Sequence, residues 1–208
     1  MFQILVACSV AFVASAQICC VPKQWEGTQG NVLAINRPNA VAPMIVSTSY
    51  LMSYDATNQR IATIETTSSS NFTSTNGVIL DYANGIQYTV QGPRCTKTTL
   101  GPFFESCIPA DANKDADTYY GAFTPLNVTA YSYIKSGFQV YSTMTRDTCA
   151  PVQEVLYGEY DGVRYMQSLG YSNITPGIKD PLVFMPPAFC DNVPLIKANL
   201  PGMPVATL

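Results

Sequence analysis

Four side chains that carry oxygen alternate in the segment DANKDAD, which is the clearest candidate for metal chemistry in the sequence. They are Asp111, Asn113, Asp115 and Asp117. Alternating oxygen ligands are typical of calcium loops, but Ala116 and Ala122 stand where an EF-hand has its turn glycine and its bidentate glutamate. The segment therefore predicts either a calcium site or, as the alternative, a polar surface loop that begins after Pro109.

Catalytic side chains are scarce in this chain. It contains no histidine, which excludes a Ser-His-Asp triad, a Cys-His pair and an HExxH zinc site. Glu154, Glu159 and Asp161 are candidates for glycoside hydrolysis only because they are close in sequence. We interpret them as solvated strand or turn residues, and the protein as a non-enzyme.

The first sixteen residues, MFQILVACSVAFVASA, have the apolar run and the small-residue end of a secretory signal. Residues 17–208 are then one secreted domain without a membrane-spanning run. This mature part holds six cysteines, an even number that predicts three disulfides with fifteen possible connectivities. Metal is the weaker interpretation, since the chain lacks histidine and C-x-x-C pairs. Neighbouring strand residues point to opposite faces, so we expect Cys19 and Cys20 to have separate partners.

Three sequons, at Asn71, Asn127 and Asn173, predict a glycoprotein. The net charge is −3 and the isoelectric point is near 4.8. Lys and Arg residues are scattered singly, which argues against nucleic acid as a partner.

The hydrophobic period is that of strands. Alternating runs on both sides of Ala83-Asn84-Gly85 predict a hairpin. Further hairpins are predicted around Ala56-Thr57-Asn58, Ser136-Gly137 and Asp161-Gly162. No stretch has a sustained helical period, so helix is minor.

So many antiparallel strands in one domain must stack as a sandwich or curl into a barrel. The pattern leaves open whether the large inward residues fill a core or line an apolar cavity. Strand residues that would line such a cavity are Leu80, Tyr82, Ile86 and Tyr88. Trp25 is interpreted as a core or staple residue and not as a platform for a ligand.

Five motifs, in this order along the mature chain, resemble the ependymin-related proteins. They are C-x-x-P-x-Q-W-E-G at 19–27, Y-D-x-x-N-Q-R at 54–60, C-x-K-x-x-L at 95–100, C-x-P-V-Q-E at 149–154 and G-I-K-D-P-x-V-F-x-P-P-x-x-C at 177–190.

The resemblance implies a mainly β fold, with two stacked antiparallel sheets curved into a half-open barrel around an apolar pocket, similar to bacterial lipoprotein carriers. It also implies disulfides from Cys19 to Cys149, from Cys95 to Cys190 and, less directly, from Cys20 to Cys107. The implied protein is a secreted glycoprotein, commonly a homodimer and often calcium-binding, with a role in cell–matrix contact.

Two functions are consistent with this resemblance. The first is a carrier or receptor for an apolar ligand such as a lipid. The alternative is a structural or adhesive glycoprotein of the extracellular matrix, for example of shell matrix, that binds matrix components and transports no ligand.

Overall fold

The computed structural model describes residues 18–69 and 72–197, which include fourteen β-strands. The first seven strands are β1 (Cys19–Cys20), β2 (Gln24–Asn36), β3 (Met44–Asp55), β4 (Arg60–Ser69), β5 (Phe72–Asp81), β6 (Ile86–Gln91) and β7 (Arg94–Thr99). The other seven are β8 (Cys107–Ile108), β9 (Asn113–Tyr120), β10 (Leu126–Lys135), β11 (Phe138–Thr145), β12 (Pro151–Tyr160), β13 (Val163–Pro176) and β14 (Leu195–Ile196). The predicted signal, residues 1–16, lies outside the described residues.

Twelve strands form one sheet in the order β14-β7-β6-β5-β4-β3-β2-β13-β12-β11-β10-β9, and β1 pairs with β8 in a second, two-stranded sheet. All strand pairs are antiparallel except β14 with β7. The large sheet consists of two meanders, β2–β7 and β9–β13, joined where β2 pairs with β13. It ends at the edge strands β9 and β14, so it is not closed.

The four predicted hairpins are confirmed as β3–β4, β5–β6, β10–β11 and β12–β13. Two of these hairpins have the same hydrogen bonds in their turns: an aspartate at the end of a strand accepts hydrogen bonds from the asparagine three residues later. Asp55 binds Asn58, and Asp81 binds Asn84, each through the backbone N at 3.1 Å and Nδ2 at 2.7 Å. The aspartate side chain thus closes each turn, and the bond from Nδ2 explains why an asparagine stands three residues later.

The large sheet curves so that its two halves pack against each other. Tyr54 of β3 and Tyr131 of β10 belong to one buried cluster, although four strands separate β3 from β10 in the sheet. Trp25 lies at the centre of this main core and has no exposed surface, as predicted. The predicted fold class is confirmed as mainly β and open. The two layers are halves of one sheet, while the second sheet is only the β1–β8 pair.

Two short 3-10 helices, Pro181–Phe184 and Ala188–Cys190, follow the last long strand. Phe184 covers the outer face of β4, where its ring lies 4.2 Å below the Arg60 guanidinium carbon. Within the described ranges, no helix has the length and apolarity needed to cross a membrane.

Candidate ligand-binding site

The adjacent cysteines fix the N-terminal segment to two different parts of the molecule. Cys19 bonds Cys149, in the connection between β11 and β12, and Cys20 bonds Cys107, its register partner in β8. The third disulfide joins Cys95 of β7 to Cys190. These are the pairs that the resemblance implies, and the separate partners agree with the alternation of side chains along a strand.

The β11–β12 connection that receives Cys19 is a tight loop. Ala150 N and Thr148 Oγ1 lie 2.8 and 2.7 Å from Thr145 Oγ1, and Cys149 N donates to the Thr145 carbonyl at 3.1 Å. Cys149 itself has a left-handed backbone, with φ 52°, a conformation that is costly for a non-glycine residue. The disulfide and these hydrogen bonds hold the loop in place.

This loop forms one wall of a cavity of about 450 Å³ beside Trp25. Its apolar lining comes mainly from Trp25, Leu126, Pro151, Val152, Ile174 and Pro176. Its polar residues are Thr145, Thr148, Tyr171, Ser172 and Asn173, and no charged residue lines it. We call it the tryptophan cavity. Since Trp25 and Pro151 are fully buried while Leu126 is 45% exposed, the cavity has a buried floor and an accessible rim.

Trp25 is held by aromatic neighbours on both sides. Its ring stacks on Tyr54 with centroids 5.9 Å apart, and it meets Tyr171 edge to face at 6.0 Å. The indole Nε1 is buried and has no hydrogen-bond partner among the described residues. A buried donor without an acceptor is rare in native proteins and requires an explanation.

A polar layer lies beside the cavity, on the same inner face of the sheet. The Tyr171 hydroxyl accepts a hydrogen bond from Gln29 Nε2 at 3.1 Å, and burial together with the nearby Glu154 charge raises the pKa of Tyr171. Glu154 lies opposite Ser142 and Leu169 in the register. Glu154 is only 6% exposed, so the prediction that it is a solvated residue was wrong. Burial raises the pKa of its carboxyl. Glu159 and Asp161 are exposed, as expected.

A second, wider cavity of about 630 Å³ lies on the concave side of β3–β7. Its lining is mixed: Tyr50, Val78 and Thr89 are joined by the charged Glu65 and Arg94. It is therefore less suited to an apolar ligand than the tryptophan cavity, because charged groups lose hydration when an apolar molecule covers them.

The four residues predicted to line a pocket do not share one face. The register pairs Ile79 with Tyr88 and Asp81 with Ile86, which places Ile86 and Tyr88 on the outer face and Leu80 on the inner face. Tyr88 packs with Ile79 and Phe184 in an outer cluster.

Leu80 and Tyr82 pack instead against the main core, where the Tyr82 ring contacts Phe103 at 5.2 Å between centroids. The four residues line neither of the two cavities. The sequence pattern missed the tryptophan cavity because its walls come from the β11–β12 loop and the end of β13, which lie far apart in sequence from Trp25.

The proposed calcium residues lie mostly on the exposed edge strand β9, where we expected a loop. Asp117 is paired with Lys114 at 2.7 Å and accepts from Thr129 at 2.8 Å, while Asp115 accepts from Ser132 at 2.9 Å. Among the described residues, the carboxylates of Asp111, Asp115 and Asp117 do not form a group in which all three lie within 4.8 Å of one another. The calcium site stays a prediction.

Carboxylate and sulfur atoms do come together at Glu105, Cys20 and Cys107. Both cysteines are joined in a disulfide, so their sulfurs are not thiolate ligands. Glu105 instead forms an ion pair with Lys23.

The sequons at Asn127 and Asn173 are exposed, so both asparagines are accessible to modification. Asn173 sits at an irregularity in the β13–β2 pairing with φ 54° and lies at the rim of the tryptophan cavity. Asn71 lies outside the described residues.

The motif Y-D-x-x-N-Q-R has a structural explanation. Asp55 is fully buried and accepts hydrogen bonds from Gln24 Nε2 at 2.9 Å and Arg60 Nε at 2.9 Å, besides those from Asn58. Burial alone would raise the pKa of Asp55, but the hydrogen bonds from Asn58, Gln24 and Arg60 outweigh it and lower that pKa. The motif therefore fixes the β3–β4 turn.

The outer face of the sheet carries an apolar band. One row of register partners crosses six strands as Ile134, Gln139, Tyr157, Met166, Ala34 and Ile45. Four of these side chains, Ile134, Tyr157, Met166 and Ile45, are between 46% and 73% exposed, and Tyr141 stacks on Tyr157 with centroids 6.1 Å apart. Paired residues of an antiparallel sheet share a face, so the row lies on one face of the sheet, where the polar Gln139 separates Ile134 from the other apolar side chains.

Fold and site together define a disulfide-braced, open and mainly antiparallel β protein, with an uncharged cavity beside the loop that the Cys19–Cys149 bond holds. The ependymin family model matches residues 70–190. The chain belongs to the ependymin family.

Individual relatives cover most of the chain. It is 28% identical to ependymin-related protein 1 of Haliotis asinina over 193 residues, which cover 86% of this chain and 93% of that protein. It is 30% identical to mammalian ependymin-related protein 1 of Mus musculus over 193 residues, or 86% of this chain and 78% of the relative.

Among solved structures, an uncharacterized conserved protein from Thermus thermophilus superimposes over 85% of this chain and 91% of its own, with a TM-score of 0.51 and 8% identity. That similarity concerns the fold alone. A LolA superfamily protein from Nitrosomonas europaea matches over 81% of this chain and 93% of its own, with a TM-score of 0.35 and 8% identity, too low to support an argument about a ligand.

Proposed function

We propose that this protein is a secreted, non-enzymatic binding protein that holds an apolar ligand in the tryptophan cavity. The observation that carries the proposal is an uncharged cavity of about 450 Å³ with mainly apolar walls. Ligand sites in proteins are typically cavities of about 300–1,000 Å³ with a few polar groups. Family membership and three disulfides support an extracellular location, because disulfides persist in oxidising compartments.

The chain provides its own reporter for this binding. It has a single tryptophan, and that tryptophan lines the cavity. Titration with a long-chain alcohol should therefore change the Trp25 fluorescence in a saturable way. Native mass spectrometry of secreted protein should also show a co-purifying lipid.

A cavity-filling variant tests the location. Ala150→Phe places a ring in the cavity wall and should weaken binding at least about tenfold by occluding the space. Ala116→Phe, on the exposed strand β9, is the matched control and should bind normally. Equal binding by both variants would place the ligand elsewhere.

The apolar band favours an association between two copies of the chain, in line with the expected homodimer. Six neighbouring strands make the band about 24 Å wide, and contiguous exposed apolar patches larger than a few hundred Å² mark interaction sites. Met166→Lys should yield monomers in sedimentation analysis, whereas Phe123→Lys, at a fully exposed position outside the band, should leave the dimer intact. A wild-type protein that is monomeric at micromolar concentration contradicts this association.

The same band supports the second candidate, an adhesive matrix glycoprotein. This function requires deglycosylated protein to bind collagen or calcium carbonate, and it requires Met166→Lys to reduce that binding. The carrier function requires neither result.

A further inference from the structure

A row of polar side chains crosses the wider cavity on the concave side of β3–β7. Glu65 of β4 pairs with Asn76 of β5. Asn76 pairs in turn with Gln91 of β6, and Gln91 pairs with Arg94 of β7. Register partners share a face, and alternation along β5 places Asn76 on the same inner face as Leu80. All four residues of the row line the cavity of about 630 Å³, which therefore has an acid at one end, two amides in the middle and a guanidinium at the other end.

The protein itself does not use these groups. Within the part of the chain that the structure describes, none of the four side chains forms a hydrogen bond or an ion pair. Glu65 and Asn76 are nevertheless half-buried. The carboxylate offers acceptors, the guanidinium offers donors, and each amide offers both. A molecule in the cavity can therefore bind to the whole row.

The spacing of the two charges sets the length of that molecule. Glu65 and Arg94 stand on β4 and β7, which are three strand positions apart, so their backbones are separated by about 14 Å. An extended peptide advances about 3.3–3.6 Å per residue. Three or four residues cover the distance between the two charges, whereas a single amino acid is too short.

The groups at each end suit opposite charges. The β3–β4 ladder ends at Leu51 and Ile64, and Tyr50 and Glu65, the next residue on each strand, both line the cavity. An aromatic ring together with a carboxylate favours an ammonium group. At the other end, the planar guanidinium of Arg94 can bind a carboxylate through two parallel hydrogen bonds.

We propose that this cavity is a second binding site, for a short zwitterionic peptide of three or four residues with free termini. The amino group of the peptide binds at Glu65 and Tyr50, its carboxylate binds at Arg94, and the amides of Asn76 and Gln91 bind its peptide groups. The site shares no lining residue with the tryptophan cavity, so it does not depend on the apolar ligand proposed there.

Peptides with blocked ends test this site on the full secreted protein. Isothermal titration calorimetry at low ionic strength compares tetraalanine with its N-acetyl form and with its C-terminal amide. Each block removes one charge and should weaken binding about 3- to 10-fold, as expected for one charged contact at a partly exposed site. Maltotriose, a neutral molecule of similar length, should bind more weakly than tetraalanine.

Two variants identify which end of the cavity binds which charge. Acetylation should no longer weaken binding to Glu65→Gln, and amidation should no longer weaken binding to Arg94→Gln. Glu159→Gln and Arg164→Gln are the matched controls. They remove the same charges from exposed register partners outside the cavity, and both should keep the affinity of the wild type.

Several results would overturn this inference. They are no binding of tetraalanine at millimolar concentration, equal affinity for the free and the blocked peptides, and tighter binding of maltotriose. A response of Glu65→Gln to acetylation, or of Arg94→Gln to amidation, that equals the wild-type response would also overturn it. None of these results bears on the apolar ligand of the tryptophan cavity, whose binding is followed separately by Trp25 fluorescence.

Discussion

Removal of the Cys19–Cys149 disulfide should cost both stability and ligand binding. The bond spans 130 residues, but the adjacent Cys20–Cys107 bond remains and shortens the loop that the lost bond closes. The path then runs from Cys19 to Cys20, across to Cys107 and on to Cys149, or about 43 residues. In the chain-entropy model a loop of that length corresponds to about 4 kcal/mol.

The double variant Cys19→Ser/Cys149→Ser should therefore melt about 8–16 °C below the wild type, as expected for a domain of this size. Calorimetry measures this shift. Ligand affinity, measured by Trp25 fluorescence well below both melting temperatures, should also fall about tenfold or more, because the loop that forms the cavity wall must be ordered on binding.

The Cys95–Cys190 bond provides a matched control. With the other two bonds intact, its shortest remaining path is about 54 residues, which again corresponds to about 4 kcal/mol. It joins β7 to the second 3-10 helix and contributes nothing to the tryptophan cavity. Cys95→Ser/Cys190→Ser should thus lose similar stability and keep its affinity. Equal loss of affinity in both variants would refute the reasoning that the Cys19–Cys149 bond builds the site by holding the β11–β12 loop.

Three further predictions concern charged side chains. Burial raises the pKa of Glu154, so the folded state binds the proton of this carboxyl more tightly than the unfolded state does, and the stability of the protein should fall as the pH rises above the ordinary pKa of 4.5. In urea unfolding, Glu154→Gln should lose this pH dependence and be more stable than the wild type near pH 8. A pH profile of the variant that runs parallel to that of the wild type would contradict the prediction. Asp55→Ala should lower the free energy of unfolding by about 3–5 kcal/mol, because it leaves the Arg60 charge and several hydrogen-bond donors without their acceptor. Asp81→Ala, at a half-buried turn with the same hydrogen bonds, should lower it by about 1 kcal/mol. Similar chemical denaturation midpoints for the two variants would be evidence against the role of burial. Calcium should raise the melting temperature of the wild type and leave that of Asp115→Ala unchanged, and equal shifts in both would end the calcium hypothesis.

The strands and turns could be predicted because their signals are local. Asn84-Gly85 and Asp161-Gly162 mark their hairpins through turn chemistry, and alternation over five or six residues marks a strand wherever it lies. The burial of Trp25 also follows from its size and apolarity.

The site could not be predicted in the same way. Asp81 pairs with Ile86 across a four-residue turn, and this register puts Leu80 and Tyr88 on opposite faces although both belong to alternating runs. A shift of one residue exchanges the faces, so the pattern alone could not choose between them. Glu154 appeared solvated because its burial depends on the opposite half of the sheet.

The sequence by itself predicted three disulfides, a set of antiparallel hairpins and separate partners for the two neighbouring cysteines. Each of these predictions depends only on residue types and on contacts within a few positions. Only the tertiary structure decided which face is inner, that the sheet halves meet around Trp25, and that the loop held by the Cys19–Cys149 bond forms a cavity wall. Those features depend on residues more than a hundred positions apart, whose approach is set by the curvature of the whole sheet.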